Sequence, residues 1–304
     1  MGETVTVIVR KLHGWGNDFL VALDADQPDG PLDASALQEL APRLCDRRRG
    51  VGADGLIHGA TPADSGAGAG SGDTADAVMS LFNASGGRAE MSGNGIRCLA
   101  HAVALAGGHW RDQVVIDTDV GRRELVFRRV GASGLAGHDG LAGLDGGDVP
   151  TLVEVSVPMG QVTPGPEPTP GTDLMSVLGG RRFGLFDVGN PHLVVEVDDP
   201  DTVVLEEFGP GIEGLFEHGI NVEVVSAIAP DEVTMRVWER GVGLTEACGT
   251  GACAAATAAA QWGLAGDQCA VRMPGGTAMV TLSGDTVMLT GPSQLVGTIE
   301  VAAW

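Results

Sequence analysis

Residues 246–253, EACGTGAC, set a cysteine directly before a glycine-rich turn, and this stretch decides the fold. The turn leads into a run of small residues, Ala252 to Trp262, whose composition predicts a helix packed at close quarters. Cys248 would then lie at a helix N-terminus, where unpaired backbone N–H groups and the positive end of the dipole meet. That setting predicts a lowered thiol pKa for Cys248 and an anion-binding site beside it.

The same motif occurs earlier in the chain. Residues 90–95, EMSGNG, match residues 246–251, EACGTG, so that Ser92 stands where Cys248 stands in the second copy. A second match pairs residues 16–21, GNDFLV, with residues 189–194, GNPHLV. Internal repetition of this kind indicates a repeated structural unit. We therefore predict two similar halves, each presenting a helix N-terminus to a shared cleft.

Length and charge limit the function. The chain has 304 residues, 43% of them hydrophobic, which is enough for two domains with their own cores. Its formal net charge of −22 gives an acidic surface that repels nucleic acid and anionic lipid. Solubility alone accounts for such a charge. A small-molecule partner is expected, with no nucleic acid and no membrane.

Lysine and cysteine usage excludes several chemistries. Lys11 is the only lysine, which argues against a lysine Schiff base such as pyridoxal enzymes use. The five cysteines include no Cys-x-x-Cys pair, which argues against both a disulfide framework and a structural zinc site. No stretch is apolar over the length of a membrane span. We expect a cytoplasmic protein without a pyridoxal Schiff base and without a structural zinc site.

The remaining pattern is rich in strands, mostly antiparallel, with one prominent helix in each half. A helix is predicted over 33–47 with Asp33 as its N-cap, and the two repeat helices over 94–105 and 252–262. Short strands are predicted at the end of the chain, over 286–290 and 296–301. Residues 50–55 read Gly-x-Gly-x-x-Gly, but they follow a helix and precede a strand, the reverse of a dinucleotide site. We interpret them as a turn.

Domain limits follow from composition. The first domain is predicted over 1–130, joined by the last strand at about 292–304, and the second over 149–291. The glycine-rich segment 131–148 is predicted as the linker, and residues 61–75 as a surface loop.

Each candidate residue has an ordinary structural alternative. A buried cysteine usually acts as a small apolar residue, but the Gly-Thr-Gly after Cys248 favours chemistry. Cys45, Cys98, Cys253 and Cys269 lack this context and are predicted to be packing residues. Ser92 is either a helix cap or a nucleophile, although the hydrolase motif Gly-x-Ser-x-Gly is not met.

Polar residues at strand ends form a second group of candidates. His192 is either structural or catalytic, and Glu239 with Arg240 is either a surface ion pair or a carboxylate clamp. Each of four asparagines is by default a turn residue. Together they indicate the lining of a polar cleft: Asn17, Asn83, Asn190 and Asn221.

Seven motifs, in this order along the chain, resemble the diaminopimelate epimerase family. They are HGWGNDF at 13–19, RGVGADG at 49–55, FNA at 82–84, AEMSGNGIR at 89–97, GNPH at 189–192, WERG at 238–241 and ACGTG at 247–251. The resemblance implies an α+β fold of two similar domains, each a curved mixed or antiparallel sheet around a central helix. It places the active site in the interdomain cleft and implies that no cofactor and no metal is used.

The resemblance also implies roles for individual residues. Cys248 is one of two acid/base groups facing the substrate α-carbon, and His192 and Glu239 assist them. The substrate is held by Asn17, Asn83, Asn190, Asn221 and Arg240. The reacting carboxylate is bound by backbone N–H groups in the two helix N-termini, at Gly93, Asn94, Gly249 and Thr250. A carbanion next to a carboxylate needs such electrostatic support.

Ser92 departs from the family pattern, which has cysteine at this position. A hydroxyl is a far weaker acid than a thiol, which titrates near pH 8.5. The leading hypothesis is epimerisation of LL- and meso-2,6-diaminopimelate, with Ser92 as the second catalytic group. The alternatives are one-base isomerisation or dehydration of another amino acid on the same fold, and an inactive amino-acid-binding relative. The oligomeric state stays open, with a homodimer as one alternative.

Overall fold

A computed structural model describes residues 5–62, 74–89, 92–130, 149–284 and 286–303. The predicted linker, most of the predicted loop at 61–75, and Glu90 and Met91 of the first motif copy lie outside these residues. The chain divides into two compact units: Met1–Val157 with Pro292–Trp304, and Pro158–Gly291.

The first unit is a ring of strands around one helix. Its strands are β1 (Val5–Gly14), β2 (Asn17–Leu23), β3 (Gly55–Ala60), β4 (Ala77–Asn83), β5 (Arg88–Ala89), β6 (Gln113–Thr118), β7 (Gly121–Arg129), β8 (Leu152–Gln161) and the end of β17 (Thr286–Ala303), and its helices are α1 (Ala34–Leu44) and α2 (Gly93–Gly107). A short 3-10 helix, Asp24–Asp26, follows β2. Pairing runs β17-β1-β2-β3-β4-β6-β7-β8 and returns to β17, with β2–β3 and β4–β6 parallel and β5 beside β4.

Helix α2 occupies the middle of this ring. It contacts β1, β2, β3, β4 and β6, and every residue from Gly93 to Ala102 is buried. Helix α1 packs against β3 and β4 through an apolar face. The Asp33 carboxylate accepts the Ser35 backbone N–H at 2.9 Å, which confirms the predicted N-cap.

The second unit repeats the arrangement. Its strands are β9 (Thr163–Pro164), β10 (Phe183–Asp187), β11 (Pro191–Glu196), β12 (Asn221–Ala229), β13 (Glu232–Glu239), β14 (Gly243–Thr245), β15 (Gln268–Met273), β16 (Gly276–Ser283) and the start of β17, and its helices are α3 (Leu174–Val177), α4 (Leu205–Glu213) and α5 (Gly249–Gln261). A 3-10 helix, Pro200–Thr202, precedes α4. Pairing runs β9-β10-β11-β12-β13-β15-β16-β17, with β11–β12 and β13–β15 parallel.

Helix α5 takes the place that α2 has in the first unit. It contacts β10, β11, β12, β13, β15 and β16, and its alanines allow the strands to approach closely. Helix α4 packs on β12, β13 and β14 and was not predicted from the sequence. Two glycines and Pro210 within nine residues give this segment a low helix propensity. The helix is stabilised by the apolar contacts of Leu205 and Ile212.

Two strands run farther than the sequence indicates. The segments predicted separately at 286–290 and 296–301 form one strand, β17. Residues 291–293 lie between its pairing with β16, which ends at Thr290, and its pairing with β1, which begins at Gln294. Pro292 interrupts neither ladder there.

Strand β8 pairs with β7 from Val153 to Ser156, and the division between the units falls after Val157 rather than at residue 149.

Candidate active site

The two motif copies form two helix N-termini with the same geometry. Ser92 caps α2 in an extended conformation (φ −135°, ψ 123°), and its Oγ accepts the Gly95 N–H at 3.0 Å. Cys248 caps α5 (φ −129°, ψ 117°), and its Sγ accepts the Gly251 N–H at 3.3 Å. The predicted placement of both residues at helix starts is confirmed. The first-turn N–H groups of each helix lack intrahelical acceptors and can bind an anion.

The residues that begin these first turns are the predicted anion-binding positions. Gly93 and Asn94 begin α2 and are buried, whereas Gly249 and Thr250 begin α5, with Gly249 buried and Thr250 half-buried. The Thr250 hydroxyl lies 3.4 Å from the Cys248 sulfur. The anion-binding N–H groups at the start of α5 therefore have the Thr250 hydroxyl as well as the Cys248 thiol beside them.

The Cys248 thiol lies in an acidic, desolvated environment. Its residue is 5% exposed, and burial, followed by the charges of Glu239 and Glu223, raises its pKa well above the ordinary value. The prediction of a lowered pKa at this helix N-terminus is wrong for this structure. Two nearby carboxylates and the loss of water outweigh the hydrogen bonds from Thr250 and Gly251, which act in the opposite direction. Cys248 therefore rests as a thiol.

Glu239 is the carboxylate that interacts with this thiol. Burial raises the pKa of Glu239, and the charge of Glu223 adds to the rise. Hydrogen bonds from Thr245, at 2.5 Å, and from Cys248 lower the same pKa by less. A carboxyl group with a raised pKa is better matched to exchange a proton with a thiol.

His192 and Glu223 form a buried pair in the same unit. The imidazole Nδ1 lies 2.7 Å from Glu223 Oε1, and both side chains are 0% exposed. The other ring nitrogen, Nε2, lies 2.9 Å from Asn190 Oδ1. His192 also lowers the pKa of Glu239, by less than any of the other effects on that carboxyl group.

Asn221 and Arg240 are connected at the ends of β12 and β13. The Asn221 amide donates to the Pro191 carbonyl at 2.8 Å and accepts the Arg240 backbone N–H at 2.9 Å. The Arg240 side chain is exposed, with Nη1 3.4 Å from the His218 carbonyl. Asn221 thus fixes the backbone of Arg240, while the Arg240 guanidinium is accessible to an anionic group.

In the first unit a directional chain of hydrogen bonds runs from Arg97 through Asn94 and Asn17 to Asp54. Arg97, fully buried with its guanidinium 4.3 Å above the Trp15 ring, donates to Asn94 Oδ1 at 2.5 Å. The Asn94 amide donates to Asn17 Oδ1 at 3.0 Å, and the Asn17 amide donates to Asp54 at 2.8 Å. Because arginine only donates and a carboxylate only accepts, the orientation of both amides is fixed.

Asn83 stabilises a turn as well as being a predicted binding residue. Its Oδ1 accepts hydrogen bonds from the Ser85 N–H at 3.1 Å, the Ser85 hydroxyl at 2.7 Å and the Gly87 N–H at 2.9 Å. The carbonyl side of the amide is therefore occupied. Asn83 is exposed, which leaves its NH₂ group as the part that can meet a ligand.

The strand registers show which residues correspond in the two units. Strands β3 and β4 of the first unit correspond to β12 and β13 of the second, and the pair Leu56–Phe82 corresponds to the pair Val222–Trp238. The next residue along β4, Asn83, therefore corresponds to the next residue along β13, Glu239. The remaining correspondences follow from the parallel pairs β2–β3 and β11–β12, in which Phe19 is opposite Gly55 and His192 opposite Asn221. They equate Phe19 with His192 and Ile57 with Glu223.

Sequence reasoning did not find Glu223 or assign a role to Arg97. The signal for Glu223 was present: it is one charged residue in a β-branched strand, INVEVV at 220–225, on the same face as Asn221. Arg97 is a charged residue inside an otherwise apolar repeat helix. A charge predicted to be buried in a core element implies a partner.

The other cysteines behave as predicted for packing residues. Burial raises the pKa of Cys45 and Cys98 to about 12 and that of Cys269 to about 11. Cys253 is fully buried in α5. In the part of the chain that the structure describes, no three His, Cys, Asp or Glu side chains form a group that could hold a metal ion. No helix within the described ranges is long and apolar enough to cross a membrane.

Comparison with known proteins gives one consistent family. A family model described as diaminopimelate epimerase matches residues 9–137 and 184–296. A diaminopimelate epimerase of Rhodococcus jostii is 38% identical over 315 residues, covering 97% of each chain. One from a Mycobacterium species is 40% identical over 316 residues, covering 96% of each chain.

Solved structures with lower identity share the fold. A phenazine biosynthesis protein of the PhzF family from Bacillus anthracis superposes with a TM-score of 0.69 at 15% identity, covering 97% of this chain and 99% of that one. A hydroxyproline epimerase from Agrobacterium vitis superposes with a TM-score of 0.64 at 19% identity, covering 99% and 94%. The predicted α+β fold of two similar halves is confirmed.

Proposed function

Because this chain belongs to the diaminopimelate epimerase family, we propose that it is an isomerase that interconverts LL- and meso-2,6-diaminopimelate. The reaction moves one proton at an α-carbon and serves the synthesis of lysine and cell-wall precursors. The observation that carries the proposal is the Cys248 thiol, placed as the cap of α5 and in contact with the Glu239 carboxyl group.

Cys248 is the group that exchanges a proton with the α-carbon. Since the thiol is protonated at rest, Glu239 takes the S–H proton and leaves a thiolate. The thiolate removes the α-proton, and the C–H electron pair becomes a carbanion next to the substrate carboxylate. The N–H groups of Gly249 and Thr250 stabilise this charge.

Ser92 delivers the new proton from the opposite face. Its O–H bond breaks, a C–H bond forms on the carbanion, and the hydroxyl regains a proton from solvent. The proton held by Glu239 returns to solvent, so each turnover exchanges one proton and leaves the enzyme unchanged. This assignment is supported by the identical capping geometry of Ser92 and Cys248. The N–H groups of Gly93 and Asn94 give the carboxylate further support.

Substrate binding is assigned to the polar residues around these helix N-termini. Arg240 takes the distal carboxylate because its guanidinium is exposed and its backbone is fixed by Asn221. Asn17, Asn83 and Asn190 present amide groups to the amino-acid ends of the substrate. His192 is a second proton-handling group beside Glu239.

No cofactor is assigned to this reaction, and we place it in the cytoplasm, in keeping with five cysteines that form no disulfide. The two alternatives, a one-base isomerase or dehydratase and an inactive binding protein, are not favoured, since the curated relatives covering nearly the whole chain are named diaminopimelate epimerase.

The proposal is tested by incubating the purified protein with LL-diaminopimelate in D₂O. We expect meso product with one deuterium at the inverted α-carbon, and deuterium entering the substrate during approach to equilibrium. Activity should survive chelators, and no flavin, pyridoxal or nicotinamide absorbance should be seen. Exchange without inversion would indicate the one-base alternative, and binding without exchange would indicate an inactive relative.

A further inference from the structure

The buried pair of His192 and Glu223 contains a carboxylate with no role in the reaction so far. Glu223 is completely buried, and in the described chain its Oε2 atom has no hydrogen-bond partner. Burying a carboxylate is costly unless it is paired and hydrogen-bonded. A half-satisfied, fully buried carboxylate near the start of β12 is therefore evidence of a functional requirement.

The comparison of the two units shows that the fold does not need this pair. In the first unit the corresponding residues are Phe19 and Ile57, which are apolar and buried. A methyl group at Gly95 would lie 3.1 Å from the end of the Ile57 side chain, whereas one at Gly251 would lie 2.6 Å from Glu223 Oε1. The same pocket under each helix N-terminus therefore holds an alkyl group in one unit and a carboxylate in the other.

The chemistry of the contact determines which ring nitrogen carries a proton. An ionised carboxylate only accepts hydrogen bonds, so Glu223 Oε1 requires a proton on His192 Nδ1. The remaining nitrogen, Nε2, lies 2.9 Å from Asn190 Oδ1, which only accepts, so Nε2 donates to it when the ring carries both protons. When Nε2 has given up its proton, the Asn190 amide must turn its NH₂ group to the ring instead. A buried carboxylate that fixes the histidine tautomer and stabilises its charged form is a recurring device in proton-transfer sites.

We propose that Glu223 is a positioning residue for epimerisation, which holds the His192 proton on Nδ1 and so reserves Nε2 as the ring atom that exchanges a proton with the site. The inference rests on the proposed function. Glu223 acts through His192 and touches no substrate atom.

The kinetic test uses Glu223→Gln, with Glu196→Gln as the matched control. Glutamine keeps the size but offers Nδ1 a donor as well as an acceptor, so the tautomer is no longer fixed. We expect kcat to fall at least about 100-fold with KM little changed, the range of a misplaced acid–base group. Glu196 is the last residue of β11, the strand that carries His192 near its start, but it pairs with Arg182 at 2.9 Å near the surface, and its variant should keep wild-type kcat.

A double variant separates positioning from a direct effect. If Glu223 acts through His192, the Glu223→Gln/His192→Gln protein should be no slower than His192→Gln alone, because residues acting as a unit are not additive. A further loss in the double variant, or an unchanged kcat in Glu223→Gln, would overturn the proposal.

The spectroscopic test does not depend on turnover. In protein labelled with ¹⁵N-histidine, the resonances of His192, assigned with His192→Gln, should show a protonated Nδ1 in the wild type and a redistributed proton in Glu223→Gln. An unprotonated Nδ1 in the wild type would refute the assignment even if Glu223→Gln failed to fold. Wild-type protein that does not epimerise diaminopimelate would refute the proposed function, while this spectrum would still decide the role of Glu223.

Discussion

The two helix N-termini differ in their side chains and agree in their backbone. Ser92 and Cys248 cap their helices with nearly the same dihedral angles, and each accepts the N–H three residues later. Around Cys248 the second unit places an imidazole and two carboxylates. The first unit has Phe19, Ile57 and Asn83 at the corresponding strand positions.

This difference separates the features that the fold supplies in both units from the features that depend on the side chains of one unit. An anion cradle made of N–H groups comes with any helix start, so both units have one. Proton transfer needs groups whose pKa values are shifted by burial and charge. Of the two helix N-termini, the one in the second unit has such groups beside it, because burial and neighbouring carboxylates raise the pKa values of both Cys248 and Glu239.

The largest effect is expected from removing the one thiol at a helix start. Cys248→Ala should lower deuterium exchange at the α-carbon by about 10³-fold or more, since no other described cysteine is the N-cap of an α-helix. The measurement is the exchange rate in D₂O by NMR. Cys253→Ala, in the same helix and fully buried, is the control and should retain exchange. If Cys248→Ala exchanged deuterium at a rate comparable to the wild type, the thiol would not be what distinguishes the second helix N-terminus from the first.

The next effect concerns the carboxyl group beside the thiol. Glu239→Gln should lower kcat about 10²-fold, because the amide cannot take the S–H proton. In the wild type the pKa values of Cys248 and Glu239 are both raised. The thiolate becomes available when this pair loses one proton, so kcat/KM should rise as the pH increases. The pH–rate profile of Glu239→Gln should move to higher pH, because the amide removes the proton acceptor. A profile that coincides with that of the wild type would exclude Glu239 as the partner of the thiol.

A third change makes the two units more alike. Ser92→Cys should raise turnover by about tenfold, because a thiol is far more acidic than a hydroxyl. The gain is limited by the apolar Phe19 and Ile57, which supply no proton acceptor. Initial rates from the LL and meso substrates provide the measurement, with Ser80→Cys on β4 as control. Equal or slower turnover in folded Ser92→Cys would mean that the hydroxyl is only a cap or a bridge.

The smallest effect compares the glycines under the two caps. Gly251→Ala forces a methyl group against the Glu223 carboxylate and should destabilise the protein by about 1–3 kcal/mol. Gly95→Ala meets the flexible end of Ile57 and should cost less, since alanine also favours the helix by up to about 1 kcal/mol. Thermal unfolding of both variants measures the difference. Equal losses would show that the carboxylate imposes no special requirement at Gly251.

The sequence alone determined the repeat, the two helix starts and the order of the polar residues at strand ends. Local signals are enough for these features: Gly-x-Gly after a capping residue, Asp33 before a helix, and alternating apolar residues in strands such as β4 and β13. The family resemblance then predicts Cys248, Ser92, His192 and Glu239 as one catalytic set.

Only the tertiary structure decided the chemistry at Cys248. The helix start by itself predicts a lowered thiol pKa, yet two carboxylates on β12 and β13, 25 and 9 residues away in sequence, together with burial, raise it. The Glu223–His192 contact likewise joins two parallel strands separated by α4. Burial and the charges of residues distant in sequence set a pKa, and neither follows from the residues next to the thiol.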